Sequence, residues 1–235
     1  MRVKHAQGAA HGFLIVRSES GAFLASGDVI QTTRGSIVTS RLTYNFHDGS
    51  VDEETTTYSQ HGVFRLVRDH HIQRGPSFPK PIDVTIDAKS GIVTSRSTDK
   101  EGKQKVETEH FDLPPDTSNG FIGTELLNIP PNTKPFKISM LAPSGKGRLV
   151  KLEISPAGKG TFRIAGHTRH ANIFRIKIEL GGLTGVVASI AGKKPEDQFV
   201  WVLGGEVPMV IRQIGQMYAE GPIVHIALAG ASFGK

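Results

Sequence analysis

The side chains in this sequence best suited to chemistry are its histidines and its clustered acids. "DHH" sets Asp69, His70 and His71 at the end of a run with strand character. Successive strand residues point to opposite faces, so at most one of the two histidines shares a surface with its neighbours at i±2. A second pair, His167 and His170 in "HTRH", has the spacing of one helix face but falls between strand-like runs, in a turn. A metal-dependent hydrolase using His70 or His71 with His167 or His170 would need three or four ligands converging from separate strands. The alternative is a set of polar histidines at strand ends and turns. The acids of "VDEETTTY", Asp52, Glu53 and Glu54, stand beside a hairpin turn. They are expected in water, with nothing apolar enough nearby to raise a carboxyl toward neutrality.

Other motifs lead away from catalysis. "GASFG", Gly230 to Gly234, matches the pattern of a serine nucleophile elbow, but that motif needs a following helix and a downstream acid and histidine, so Ser232 reads as a tail residue. "PSGKGR" lacks the spacing and the Lys-Ser/Thr pair of a phosphate loop, and no G-x-G-x-x-G opens a helix after a strand. The chain has no cysteine, which excludes a disulfide framework, thiolate zinc sites, iron–sulfur clusters and a cysteine nucleophile. No cofactor and no catalytic residue is assigned.

The formal charge of +6 and a pI near 9.6 allow weak attraction to phosphate or to anionic lipid. The densest basic stretch, "GKGRLVKLEISPAGKGTFRIAGHTRH", alternates with apolar residues as half-exposed strands do. Aromatic residues are few, and Phe13, Phe46, Phe64, Phe162 and Phe174 fit strand-core positions. Specific nucleic-acid binding, which calls for exposed stacking aromatics, is therefore not expected. No apolar run approaches the roughly 20 residues of a membrane-spanning helix.

What must position these side chains is a succession of strands. "GFLIVR", "SIVTSRLTYNF", "GVFRLVRDHHI", "PIDVTID", "RLVKLEIS", "TFRIAGH", "IFRIKIEL", "QFVWVLGG" and "PIVHIAL" are short, rich in Val, Ile, Phe and Thr, and separated by Gly, Pro, Asn or Asp. The pattern predicts a mainly β fold, a curved antiparallel meander forming a half-barrel or open barrel. In "IVTSRLTYNF", Val38, Leu42, Tyr44 and Phe46 fall on one face and Thr39, Arg41, Thr43 and Asn45 on the other. The pentapeptide IVTSR recurs at Ile92 to Arg96. Both copies begin hairpins, the first expected to pack an apolar face and the second to lie in water.

One short helical insert is predicted near residues 115–129, in "PPDTSNGFIGTELLNIPP". Asp116, Thr117 and Ser118 offer capping oxygens, Phe121, Ile122, Leu126 and Ile129 recur at roughly helical spacing, and Pro130 ends the run. "EVPMVIRQIGQMYAEG" suits an edge hairpin. Residues 1–12 read as a flexible leader or the remnant of a signal peptide, and 13–235 as a single all-β domain.

With that meander in place, "LASGDVIQTTRG", "SRLTYNFHDGS", "RDHHIQRGPSFPKPIDVTIDAKSG" and "FVWVLGGEVPMVI" resemble uncharacterised bacterial exported proteins of the lipoprotein-carrier-like half-barrel type. The likeness of pattern and order runs from about Phe13 to Leu228. It implies a curved sheet around a short helical insert, a concave face able to hold an acyl chain, export to the periplasm or envelope, and no catalysis. The chain departs from the pattern in lacking a lipobox cysteine and a full signal peptide.

The leading expectation is a non-enzymatic envelope protein that binds an apolar small molecule or lipid, with Phe121, Leu126 and Trp201 lining the site. The alternative is a structural module whose sheet face or edge meets another envelope protein, although "STDKEGKQKVETE" discourages edge pairing.

Overall fold

A computed structural model describes residues 1–98, 101–142, 147–164, 167–179 and 195–233. The strands in its first half are β1 (Ala10–Ser18), β2 (Phe23–Arg34), β3 (Ile37–Phe46), β4 (Val51–Ser59), β5 (Arg65–Arg74), β6 (Ile82–Asp87), β7 (Ile92–Thr98) and β8 (Gln104–His110). A connection carrying the helix α1 (Ile122–Leu126) leads to β9 (Phe136–Ala142), β10 (Arg148–Ile164), β11 (His167–Glu179), β12 (Gln198–Leu203), β13 (Met209–Gln216) and β14 (Ile223–Phe233).

Among the described residues the fourteen strands form one antiparallel sheet in the order β8-β7-β6-β5-β4-β3-β2-β1-β14-β13-β12-β11-β10-β9. The sheet is an open half-barrel whose edges are β8 and β9. Each neighbouring pair is a local hairpin except β1 with β14, which joins the two ends of the meander at its middle.

Alternation assigns the faces. Val38 and Tyr44 are buried, and Leu42 and Phe46 pack against the same apolar interior. The second IVTSR buries only its valine, Val93, and leads to β8, which is almost wholly exposed. The two hairpins therefore differ in burial as their sequences predict.

The helix is shorter than its pattern suggests. Only Ile122–Leu126 is α-helical, and no side chain caps its start. Asp116, Thr117 and Ser118 are committed elsewhere: the Ser118 N–H donates to the Ser139 carbonyl at 2.8 Å, and the Ser139 N–H to that of Asp116 at 3.2 Å. Asn119 adds two bonds with the Leu141 backbone. The connection thus covers the β9 edge, satisfying backbone groups that would otherwise invite another strand.

Several expectations need correction. β10 is one strand of 17 residues, where the sequence suggests two, because a bulge between Pro156 and Gly158 absorbs the proline without ending the ladder. β13 is internal, paired with β12 and β14, and Pro208 stands just before it, where no ladder N–H is lost. Phe13 is 53% exposed on the convex face, whereas Phe64 and Phe174 are core. Ser232 lies within β14 opposite His11, and is not a tail residue. Residues 143–146 of "PSGKGR" lie outside the described residues.

The first residues of the chain are held against the sheet. The Phe64 N–H donates to the Met1 carbonyl and the Val3 N–H to that of Gly62. Met1 and Val3 pack on the apolar cluster beneath them. Asn128 Oδ1 accepts from both the Lys4 and His5 N–H groups at 2.7 Å, and Gln7 and Gln60 exchange two bonds. From Ala10 onward the segment is already β1.

Candidate functional site

The concave face is filled from within by the connection. Phe121 is 2% exposed and stacks on Tyr58 with ring centroids 4.9 Å apart, in a cluster with Phe64, Leu66, Val84 and Ile86. Leu126 is fully buried in a second cluster built from β9 to β12, among Ile138, Leu152, Phe174 and Val202. Trp201 lies elsewhere. It alternates with Val200 and Val202, which face this cluster, so it projects from the opposite, convex side of β12. There it lies against Gly160, where an added Cβ would stand 2.8 Å from its ring nitrogen, with the Arg212 guanidinium 5.1 Å from its ring centroid. Phe121 and Leu126 therefore belong to the interior and Trp201 does not, and the three line no common pocket.

The structure reveals a polar strip on the concave face of β4 and β5. Three cross-strand pairs stack along it: Asp52 opposite Gln73, Glu54 opposite His71, and Thr56 opposite Asp69. A bulge at Val67 rephases β5, so that Leu66 and Asp69 both point inward although three apart in sequence. The acids of "VDEETTTY" are thus divided. Asp52 and Glu54 face the interior, and the expectation that these acids are solvated fails because a strand with alternating faces must turn one set inward.

These groups satisfy one another. His71 Nε2 lies 2.8 Å from Asp52 Oδ1, and Gln73 donates to Asp52 Oδ2 at 3.0 Å and to the Met217 carbonyl. Thr56 Oγ1 donates to Asp69 Oδ1 at 2.6 Å. Asp69 lies near enough for its charge to act on Glu54, and the Gly120 backbone lies against Thr56 and Glu54. Three carboxyl groups face one imidazole, so not all three can be ionised cheaply in this setting.

Burial, followed by the charge on Asp69, pushes Glu54 up to about 8. Burial also raises Asp69, against the pull of Thr56, His71, His70 and the Gly120 N–H. For His71 burial works against the charged ring, but the Asp52 hydrogen bond and the charges of Glu54, Asp52 and Asp69 prevail and hold it near 9. Tyr44, opposite Asp52, is held well above its ordinary value by burial and the neighbouring acids.

A protonated carboxyl beside a carboxylate is acid–base machinery in composition. Here it has no room to act. A Cβ on Gly120 would stand 2.0 Å from Thr56 Oγ1 and 2.6 Å from Glu54 Cδ, so the connection lies directly on the strip. Only glycine allows that approach. The arrangement is a polar clasp holding the connection in the barrel.

The histidines do not converge. His70, on the convex face, lies 2.9 Å from Asp83, while His71 faces inward. His167 and His170 are exposed on β11, in the other half of the sheet. Among the described residues no group of three or more His, Asp or Glu side chains could hold a metal ion. Also among them, no helix is long and apolar enough to cross a membrane.

An open cleft of about 300 Å³ lies where the connection leaves α1. Leu127 and Ile129 form one wall, Asn172 and Val202 another, and Lys4 and His5 the rim. Its floor is the second apolar cluster, since Val202 belongs to that cluster and Leu127 and Ile129 pack against it. Sequence reasoning missed this cleft because it joins segments far apart in the chain, none carrying a motif.

No protein-family model matches the chain, and no curated protein matches it. The functional reading accordingly rests on geometry.

Proposed function

We propose that the protein binds an anionic single-chain amphiphile, without catalysis, at the cleft beside α1. The observation that supports this reading most directly is a cleft floored by the apolar cluster of β9 to β12 and rimmed by Lys4 and His5. An acyl chain gains about 0.8 kcal/mol per methylene buried. A volume at the low end of ligand pockets accepts part of such a chain, giving affinities on the order of micromolar. The Lys4 ammonium at the rim suits a carboxylate or phosphate head group. The setting proposed is the bacterial periplasm, which the lipoprotein-carrier-like pattern implies.

Native mass spectrometry of gently purified protein, with titration of the fluorescent fatty acid cis-parinaric acid, tests the reading. Saturable binding that is weakened by Val202→Arg supports it. No retained amphiphile together with no saturable titration would overturn it.

A further inference from the structure

The two longest neighbouring strands outrun their partners. β9 pairs with β10 only over Arg148–Ile154, and β12 with β11 only over Ala171–Ile176. Beyond those limits Thr161–Ile164 and His167–His170 pair with each other alone, while Lys159 and Gly160 at the base face Asn172 and Ala171, which still pair with β12. At about 3.3 Å per residue these paired residues project roughly 13 Å from the sheet as a two-stranded ribbon.

The ribbon carries one sign of charge. Between Glu153 and Glu179 the sequence has no acidic residue, while Arg163 and Arg169 lie on the ribbon with His167 and His170, and Lys159 stands at its base. All five are exposed. Phe162, half-buried opposite Arg169, adds an aromatic ring. The ribbon also rises from the cleft: Asn172 lines the cleft wall, and Lys159 is its direct cross-strand partner. Lys4 and His5 stand on the rim of the same opening.

We propose that the ribbon formed by Thr161–Ile164 and His167–His170, with Lys159 at its base, docks the mouth of the cleft onto an anionic lipid surface. The choice of lipid over another polyanion rests on the amphiphile reading, since a sparingly soluble ligand is most readily exchanged where the cleft meets a bilayer. Basic residues at an anionic leaflet each strengthen binding roughly fivefold, and the attraction falls away as salt shortens its range.

The test uses the full chain and sedimentation with vesicles of phosphatidylcholine alone or mixed with phosphatidylglycerol. Wild type is expected to bind the mixed vesicles, to release in high salt, and to ignore the neutral ones. The variant K159S/R163S/R169S should bind about a hundredfold more weakly. A control, R17S/K80S/K89S, loses three exposed bases outside the ribbon and should bind within a fewfold of wild type. Thermal melts establish that both variants fold. Equal binding by the ribbon variant and the control, or equal binding to neutral vesicles, would overturn the proposal. So would tighter saturable binding to duplex DNA or RNA that displaces the vesicles. Titration with cis-parinaric acid in the absence of vesicles separates the two readings. If the ribbon variant keeps full affinity for the probe while losing vesicles, docking and ligand binding are distinct; if wild type binds anionic vesicles through the ribbon but never the probe, docking stands and the amphiphile reading falls.

Discussion

The connection through α1 is held by two unlike halves of one sheet. Over β3 to β6 it rests through Gly120 on a strip of carboxyl, imidazole, hydroxyl and amide groups. Over β9 to β12 it buries Leu126 among aliphatic side chains and one phenylalanine. Both halves bury apolar side chains of the connection, Phe121 in the first and Leu126 in the second, but only the first adds a contact that depends on proton occupancy and close geometry. One chain segment is thus secured by a conditional clasp and an unconditional one, and perturbations should separate them.

The largest effect is expected for Gly120→Val. It drives atoms into Thr56 and Glu54, and a urea titration should show a loss of about 4 kcal/mol. Leu126→Ala should cost about 3 kcal/mol through the cavity left in the apolar half, and this loss should be the same at acid and alkaline pH. His71→Ala removes the only imidazole in the strip and leaves its acids uncompensated. Its cost should be roughly 2–3 kcal/mol near neutrality and shrink as pH rises toward 9, where the ring gives up its proton. Equal losses at both pH values would erase the distinction between the halves.

Wild type should itself report the clasp. Glu54 is held near 8 against an ordinary 4.5, and His71 near 9 against 6.5. Both bind a proton more tightly folded than unfolded, so their stabilisation is complete below the ordinary values. It is lost as pH rises, from 4.5 to 8 for Glu54 and from 6.5 to 9 for His71. The melting temperature should therefore fall across that range, and Glu54→Gln should flatten the lower part of the curve. The smallest effect is expected for Trp201→Ala. Loss of the Arg212 stacking on the convex face should cost about 1 kcal/mol and leave binding of cis-parinaric acid unchanged.

Much of the architecture was legible because it is local. Alternation in "IVTSRLTYNF" is a property of neighbouring residues, as are the turn glycines, and both place side chains correctly. Pro130 and the apolar spacing around Phe121 located the insert, though not its length. Its early residues were free to become caps or to cover an edge strand, and the edge claimed them. The strip was legible only in part. Asp52, Glu54, Thr56 and Tyr58 repeat at period two, ending in a residue that must be buried, and this is the signal that places the acids inside. Composition argued the opposite, because the price of burying a carboxyl depends on partners from another strand. His71 supplies that partner, but a bulge at Val67 sets its phase, and bulges leave little trace in sequence.

The pairing of β1 with β14 bears on how the molecule assembles. Each other strand meets a neighbour adjacent in the chain, so both meanders can zip hairpin by hairpin with little loop entropy to overcome. Closing β1 onto β14 requires the two finished ribbons to find each other across most of the sequence. That encounter is the natural rate-limiting step, and weakening the β1–β14 seam should slow folding more than an equally destabilising change within either ribbon.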